Sequence, residues 1–254
     1  MISKTNLKVM VHDTDFYGRN AISSYLAWDR RTRVVHLAES IGEIPHWLAE
    51  HTEAEWPDVI LLDTFSSPTA DHLRGLIRQL HEAIQDLLII VLDRSVRLDY
   101  ALAALDTVAG AYFLRNDVGL QIAWAIVWAQ RPEFAISQSV LETLPEEADE
   151  RLQNAVVLPQ RRRYPELTDR IREAIQLCVV EGMSADLAAD EMGVSPHTIR
   201  SYVKEGYRIL ESYDIGVEYP PEMSAQERAF MRFTALEEDD YQDNDGPLSP
   251  TKED

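Results

Sequence analysis

Three aspartates each stand at the end of a short apolar run. Asp13 follows Leu7-Lys8-Val9-Met10-Val11-His12, Asp63 follows Val59-Ile60-Leu61-Leu62, and Asp93 follows Leu88-Ile89-Ile90-Val91-Leu92. Arg115 stands the same way after Ala111-Tyr112-Phe113-Leu114. If the runs are parallel strands, the four side chains converge beyond the carboxyl ends of a sheet, where doubly wound folds gather their ligands. One acid at such a place is ordinary strand-end punctuation in solvent. Three converging acids are harder to dismiss, because uncompensated like charges raise each other's pKa.

A second set of residues carries different chemistry. Ser195 caps a helix from Pro196 to Tyr207, with Pro196 at the first position where no amide is needed. Its exposed side presents His197, Arg200, Ser201, Lys204 and Arg208, and Ile199 and Val203 turn inward. Hydroxyl, guanidinium and ammonium groups on an exposed helix suit phosphate and base-edge contacts. The plainer alternative is a helix bundle with a solvated charged face, and Glu205 dilutes the positive charge. No Ser/His/Asp set, glycine-rich phosphate loop or metal-ligand spacing occurs, which argues against an enzyme. His12 reads as a strand-end side chain, and Trp124 with Trp128, four apart, reads as packing rather than a ligand cage.

The elements that must position these groups follow from apolar patterning. Strands are predicted at Leu7–Val11, Arg33–Leu37, Val59–Leu62, Leu88–Leu92 and Ala111–Leu114, each followed by a helical pattern; Leu73, Leu76, Ile77 and Leu80 are the clearest. Five βα units between residues 7 and 130 imply a doubly wound, five-stranded parallel sheet, since parallel strands need helical crossovers. Residues 131–160 carry Pro132, Pro145, Pro159 and an acidic cluster, and read as an interdomain linker. From Leu167 to Tyr213 all signals are helical. One helix carries Ile171, Ile175 and Val179, and a short one, Ala185–Met192, starts after Ser184 and closes at Gly193. Two short helices joined through a glycine turn make a helix-turn-helix within a unit of residues 161–215. After it, Ser224 and Glu227 have capping-box spacing before an apolar side of Phe230, Met231, Phe233 and Leu236. The acidic stretch Glu237–Asp254 is expected to be disordered.

Composition bounds the partners. Among 254 residues, 45% hydrophobic and 27% charged is ordinary for a globular protein. Lys+Arg number 24 against Asp+Glu 44, and a formal net charge of −20 argues against a general coat for nucleic acid or membrane, both anionic. It leaves room for a local basic face. The single cysteine, Cys178, cannot form an internal disulfide, and the expectation is a soluble, cytoplasmic protein.

Residues 7–130 resemble the receiver domain of two-component response regulators, through Pro57-Asp58-Val59-Ile60-Leu61-Leu62-Asp63, Pro68 and Ala111-Tyr112-Phe113-Leu114-Arg115. The resemblance implies a flavodoxin-like strand order with Asp63 in the phosphoacceptor place. It also implies Mg²⁺ held by that residue and an acidic pair after strand one, and a Thr or Ser and a Lys that sense the phosphoryl group. This chain departs from the pattern. The pair reads Asp13-Thr14, leaving Asp13 and Asp63 for a metal; the hydroxyl place is Asp93, and the lysine place is Arg115. An aspartate beside an incoming phosphoryl group sets like charges together, at a cost of about a few kcal/mol at an effective dielectric near 20. The expectation is that Asp93 and Arg115 pair and replace the phosphorylation switch. The alternative is that Asp15 substitutes as a ligand and Asp63 still takes phosphate.

Residues 167–213 resemble the LuxR/NarL-type helix-turn-helix, through Leu167-Thr168-x-Arg170-x-Arg172-Glu173, Glu181-Gly182-Met183-Ser184, Leu187-Ala188, Met192-Gly193-Val194-Ser195, Thr198-Ile199-Arg200 and Val203. This implies that Pro196–Tyr207 lies in the DNA major groove, with Thr198, Arg200 and Lys204 contacting phosphates or bases. Tyr202 replaces the usual His and is placed with Ser201 and Arg208 among the DNA-contacting residues that the resemblance implies. Ser137-Gln138-Ser139-Val140 is similar to the linker after receivers of this type. The two resemblances together imply an atypical NarL/FixJ-type response regulator: a homodimer on double-stranded DNA, whose receiver senses a protein or small ligand. The rival is an adaptor or anti-activator that binds no DNA, using the Phe230–Leu236 helix. A third reading is a conventional regulator phosphorylated on Asp63.

Overall fold

The structure, a computed structural model, describes residues 6–213, 219 and 222–237; the acidic stretch beyond Glu237 lies outside them. The first unit alternates β1 (Leu7–His12), α1 (Phe16–Ala27), β2 (Thr32–Ala38), α2 (Glu43–Glu50), β3 (Val59–Asp63), α3 (Ala70–Ala83), β4 (Leu88–Asp93), α4 (Leu98–Leu105) and β5 (Ala109–Leu114). A single helical turn, α5 (Arg115–Val118), leads through Gly119–Gln121 into α6 (Ile122–Trp128). Then come β6 (Ala135–Ile136), α7 (Gln138–Thr143), α8 (Glu150–Gln153) and β7 (Val156–Val157).

All pairings are parallel, in the order β2-β1-β3-β4-β5-β6-β7. β3 is buried along its whole length, as the continuous apolar run demands of a strand covered on both faces. Successive side chains alternate between two cores. Ile60, Leu62, Ile89 and Val91 pack against α3 and α4, and Val59, Leu61, Ile90 and Leu92 against α1 and α6. The strand order reverses direction between β1 and β3, so the crevice for ligands opens at the ends of those two strands. Asp13 and Asp63 stand there.

The sheet has seven strands where the sequence led us to expect five, and the expected linker 131–160 is built into it. β6 pairs with β5 and β7 with β6. Ala135, Ile136 and Val140 are fully buried, and Leu152 nearly so. Two-residue strands are too short to show a period, and the prolines between them read as linker punctuation. The Ser137 hydroxyl accepts from the Leu114 amide at 3.0 Å, and Asp117 accepts from the Ser139 amide and hydroxyl, at 3.0 and 2.7 Å.

The second unit is helical: α9 (Asp169–Ile175), continued by a π turn through Val180, then α10 (Ala185–Met192), α11 (Pro196–Glu211) and α12 (Ala225–Phe233). Side-chain oxygens of Thr168, Ser184, Ser195 and Ser224 cap the four helices. Gly193 ends α10 at φ +65°, a left-handed conformation that costs a side-chain-bearing residue. α12 closes a capping box between Ser224 and Glu227 and buries Ala229, Phe230 and Phe233 against α9 and α11. The same helix touches the first unit. Phe230 stacks on Trp28 at 5.8 Å, the Trp124 indole donates to the Met231 carbonyl at 3.0 Å, and Arg30 pairs with Glu227 at 3.0 Å. Beyond it, Leu236 bridges antiparallel to Arg161 and packs into the α1/α6 core. No helix among the described residues is long and apolar enough to cross a membrane.

Candidate functional site

Asp13 and Asp63 are brought together, 0% and 1% exposed. Between them lies the Arg115 guanidinium, whose Nη2 stands 2.7 Å from Asp13 Oδ2 and 2.6 Å from Asp63 Oδ1. Backbone amides take the remaining oxygens: Asp15 donates to Asp13 Oδ1 at 2.8 Å, and Phe65 to Asp63 Oδ2 at 3.2 Å. Burial pushes the Asp63 carboxyl above the usual aspartate value, with Arg115 pulling the other way. The guanidinium bridges the two carboxylates that would share a cation, so the residues present do not fit Mg²⁺. Thr14, beside Asp13, is exposed. Among the described residues no group of three or more His, Cys, Asp or Glu could hold a metal ion.

Asp93 does not pair with Arg115. Its partner is Arg97, one helical turn on, whose Nε donates to Oδ2 at 2.9 Å. The Tyr112 hydroxyl donates to the same oxygen at 2.8 Å, and the Arg94 amide to Oδ1 at 2.7 Å. Arg97 also donates to the buried Thr64 hydroxyl and lies over the Tyr100 ring. Burial, with Asp93 alongside, pushes the Tyr112 phenol up and keeps it a donor. The acids thus sit in two groups, Asp13 and Asp63 on Arg115 and Asp93 on Arg97, and Arg94 stands between them, its guanidinium 4.0 Å from Asp13 and its amide on Asp93. Arg97, four residues beyond the strand-end Asp93, gave no sequence signal, and spacing alone could not choose between the two arginines.

His12 is 1% exposed, and neither ring nitrogen has a hydrogen-bond partner among the described residues. Burial lowers its pKa to about 4, so it is neutral near pH 7 and acts as packing. Arg19 is buried beside it, donating to the Asp13 carbonyl and pairing with Glu39. Around the rim, Phe16, Tyr17 and Phe65 are exposed.

The helical unit presents the other site. On α11, His197, Arg200, Ser201, Lys204 and Arg208 are exposed and Ile199 is fully buried. Ser195 Oγ accepts from the Thr198 amide at 3.1 Å and meets the Thr198 hydroxyl at 2.8 Å, so that hydroxyl serves the helix start. Arg208 is held by Glu205 at 2.6 Å. Tyr202 is not on the open face: it packs against both helical cores, as does Val203. Its position on the helix, facing the same way as Ile199 to within a turn, is the signal that sets it inward.

Residues 161–210 match the family described as Sigma-70, region 4. That stretch coincides with the residues whose sequence resembles the LuxR/NarL-type helix-turn-helix. No curated protein matches the chain. Among solved structures, RcsB from Salmonella enterica serovar Typhimurium bound to promoter rprA is 18% identical, with a TM-score of 0.45 over 91% of this chain and 100% of that one. The isolated REC domain of the same protein is 20% identical, with a TM-score of 0.46 over 55% of this chain and 99% of its own. A two-component response regulator of the LuxR family from Aurantimonas sp. SI85-9A1 is 19% identical, with a TM-score of 0.40 over 50% and 89%. The family match thus spans α9, α10 and most of α11 and stops short of α12.

Proposed function

We propose that this chain is a DNA-binding transcription regulator of the response-regulator type, acting as a dimer, whose receiver works without phosphorylation. The observation that carries the DNA-binding part is the open face of α11 in a capped helix-turn-helix. Arg200, Ser201 and Lys204 point outward from a helix whose other side is locked to α9 and α10. Such a helix enters a major groove and reads base edges, and its lysines and arginines neutralise phosphates. A net charge of −20 weakens attraction to DNA elsewhere on the surface, so affinity rests on this face.

Phosphorylation independence rests on the Arg115 bridge. A phosphoryl group arriving at Asp63 would have to displace a guanidinium held by two buried carboxylates. The test is enrichment of sequences from random duplex DNA by the full chain, without a phosphodonor, beside Arg200→Ala. A palindromic motif that the variant loses supports the proposal. Enrichment that depends on a phosphodonor, or labelling of Asp63 by a small phosphodonor with Mg²⁺, returns the receiver to the conventional reading. No enrichment under any of these conditions favours the adaptor reading, which the acidity of the chain supports.

A further inference from the structure

Residues 158–168 lead from β7 into α9, and a pocket of about 340 Å³ opens beside them. Its lining is Arg161, Arg162, Arg163, Tyr164, Pro165 and Arg172, four arginines and no acid. On a chain whose net charge is −20, that concentration of positive charge runs against the rest of the sequence. The volume lies within the roughly 300–1,000 Å³ usual for small-ligand sites.

Two of the four carry charge that no acid balances. Arg161 and Arg172 are half-buried, and among the described residues neither pairs with a carboxylate, whereas Arg163 on the exposed rim has Glu237 at 4.0 Å. Burial, and then the Arg172 charge, pull the Arg161 guanidinium below the ordinary arginine value. Charges withdrawn from water are normally paired, so an anion is missing here. Both side chains are also held in place. Arg161 lies over the Phe233 ring and gives Nε to the Phe233 carbonyl at 2.9 Å; its Nη2 is sealed from solvent, and its Nη1 is neither bonded nor sealed. Arg172 spends Nη2 on the Tyr164 and Leu167 carbonyls, at 3.3 Å each, which leaves its Nε and Nη1 open. Donors fixed in advance lose little freedom when a ligand arrives.

The charge count selects the ligand. One carboxylate would leave one of the two cations uncompensated. A phosphate monoester carries about −1.5 to −2 at pH 7 with three acceptor oxygens, and guanidinium groups match phosphate geometry. A phosphate is far smaller than the pocket, which leaves room for part of the molecule that bears it. We propose that this pocket binds the phosphate group of a small phosphomonoester, clamped between Arg161 and Arg172 at the joint of the two units. It lies apart from the open face of α11. Ile171 and Ile175 of α9 crowd Gly206, and Leu210 packs with Tyr164, so α11 turns its other side toward the pocket.

The probe is inorganic phosphate at about pH 7.5, where it is mostly a dianion, titrated into the ¹⁵N-labelled full chain at constant ionic strength. Acetate is the singly charged control. The expected result is saturable binding with shifts centred on residues 161–165 and 172, and acetate weaker by at least about tenfold. Arg172→Gln removes one side of the clamp and should weaken phosphate by at least about tenfold, whereas Arg163→Gln on the rim should cost less than about threefold. Equal binding of phosphate and acetate, or shifts centred elsewhere, overturns the site, and the shift map decides this even if Arg172→Gln folds poorly. Absence of saturation overturns it too. If saturation then appears in a full chain carrying Glu237→Gln, Glu238→Gln, Asp239→Asn and Asp240→Asn, the occupant is the chain's own carboxylates rather than a small ligand. An excess of an enriched duplex should leave the phosphate affinity unchanged, and competition by the duplex would hand these arginines to the DNA backbone and overturn the small-ligand assignment.

Discussion

Arg115→Ala removes the cation that two buried carboxylates share. Asp13 and Asp63 meet the same nitrogen at 2.7 and 2.6 Å, and neither is more than 1% exposed. Two like charges roughly 5 Å apart at an effective dielectric near 20 repel by about 3 kcal/mol. Removing one partner of a buried pair costs about 3–5 kcal/mol in general. The two figures agree, so urea unfolding at pH 7 should show a loss of about 3–5 kcal/mol. The dependence on pH has a definite sign. Burial already sets the folded pKa of Asp63 above its unfolded value, and losing Arg115 raises it further. A group with a raised folded pKa contributes stability below its unfolded pKa and loses it as pH rises through the folded value. The gap between variant and wild type should therefore shrink from pH 7 to pH 4. Millimolar Mg²⁺ at constant ionic strength should narrow the gap too, by stabilising the variant and not the wild type. Equal urea midpoints at pH 7, or a gap that widens at pH 4, would refute the neutralising role of Arg115.

Phe230→Ala should cost about 3–5 kcal/mol, since the ring is 1% exposed and stacks on Trp28; proteolysis between residues 158 and 168 should speed up with it. Gly193→Val forces a branched side chain onto a left-handed residue and should lower stability by about 1–2 kcal/mol, read from chemical unfolding. Glu227 is held down to about 2, chiefly by the Ser224 amide and then by Arg30. A depressed folded pKa gives stability that is present above about pH 4.5 and lost as pH falls through about 2. Glu227→Gln should flatten the acid limb of an unfolding curve over that window, and an unchanged limb would discount the capping box as its source.

Much of the fold was legible because burial on both faces writes a strand as an unbroken apolar run, as at Val59–Leu62 and Leu88–Leu92. The caps Ser184, Ser195 and Ser224 were legible for a local reason: each side chain bonds an amide three residues on. What stayed hidden is what depends on distance. Arg30 and Glu227 are 197 residues apart, and nothing in either neighbourhood announces the other. β6 and β7 owe their strand geometry to the free edge of β5 rather than to a pattern of their own. At the carboxylate cluster, residue types named the participants and only the coordinates assigned the partners. Arg97 took Asp93, freeing Arg115 for the other two acids, and Tyr202 turned inward although an open-face role was expected.

On the proposed reading, in which a dimer of this chain binds DNA, the short joint between the units bears on operator architecture. Only residues 158–168 separate β7 from α9, and Arg161 in that stretch is pinned to Leu236 by a backbone bridge. A reading head on so short a stem keeps one bearing relative to the sheet. In a symmetric pair built on the sheet unit, the distance between the two heads is then a property of the protein, and the operator must match it. Duplex DNA turns once in about 10–10.5 base pairs. Inserting half a turn between half-sites would move the second one to the opposite side of the duplex, beyond the reach of this joint, and inserting a full turn would restore the side but not the span.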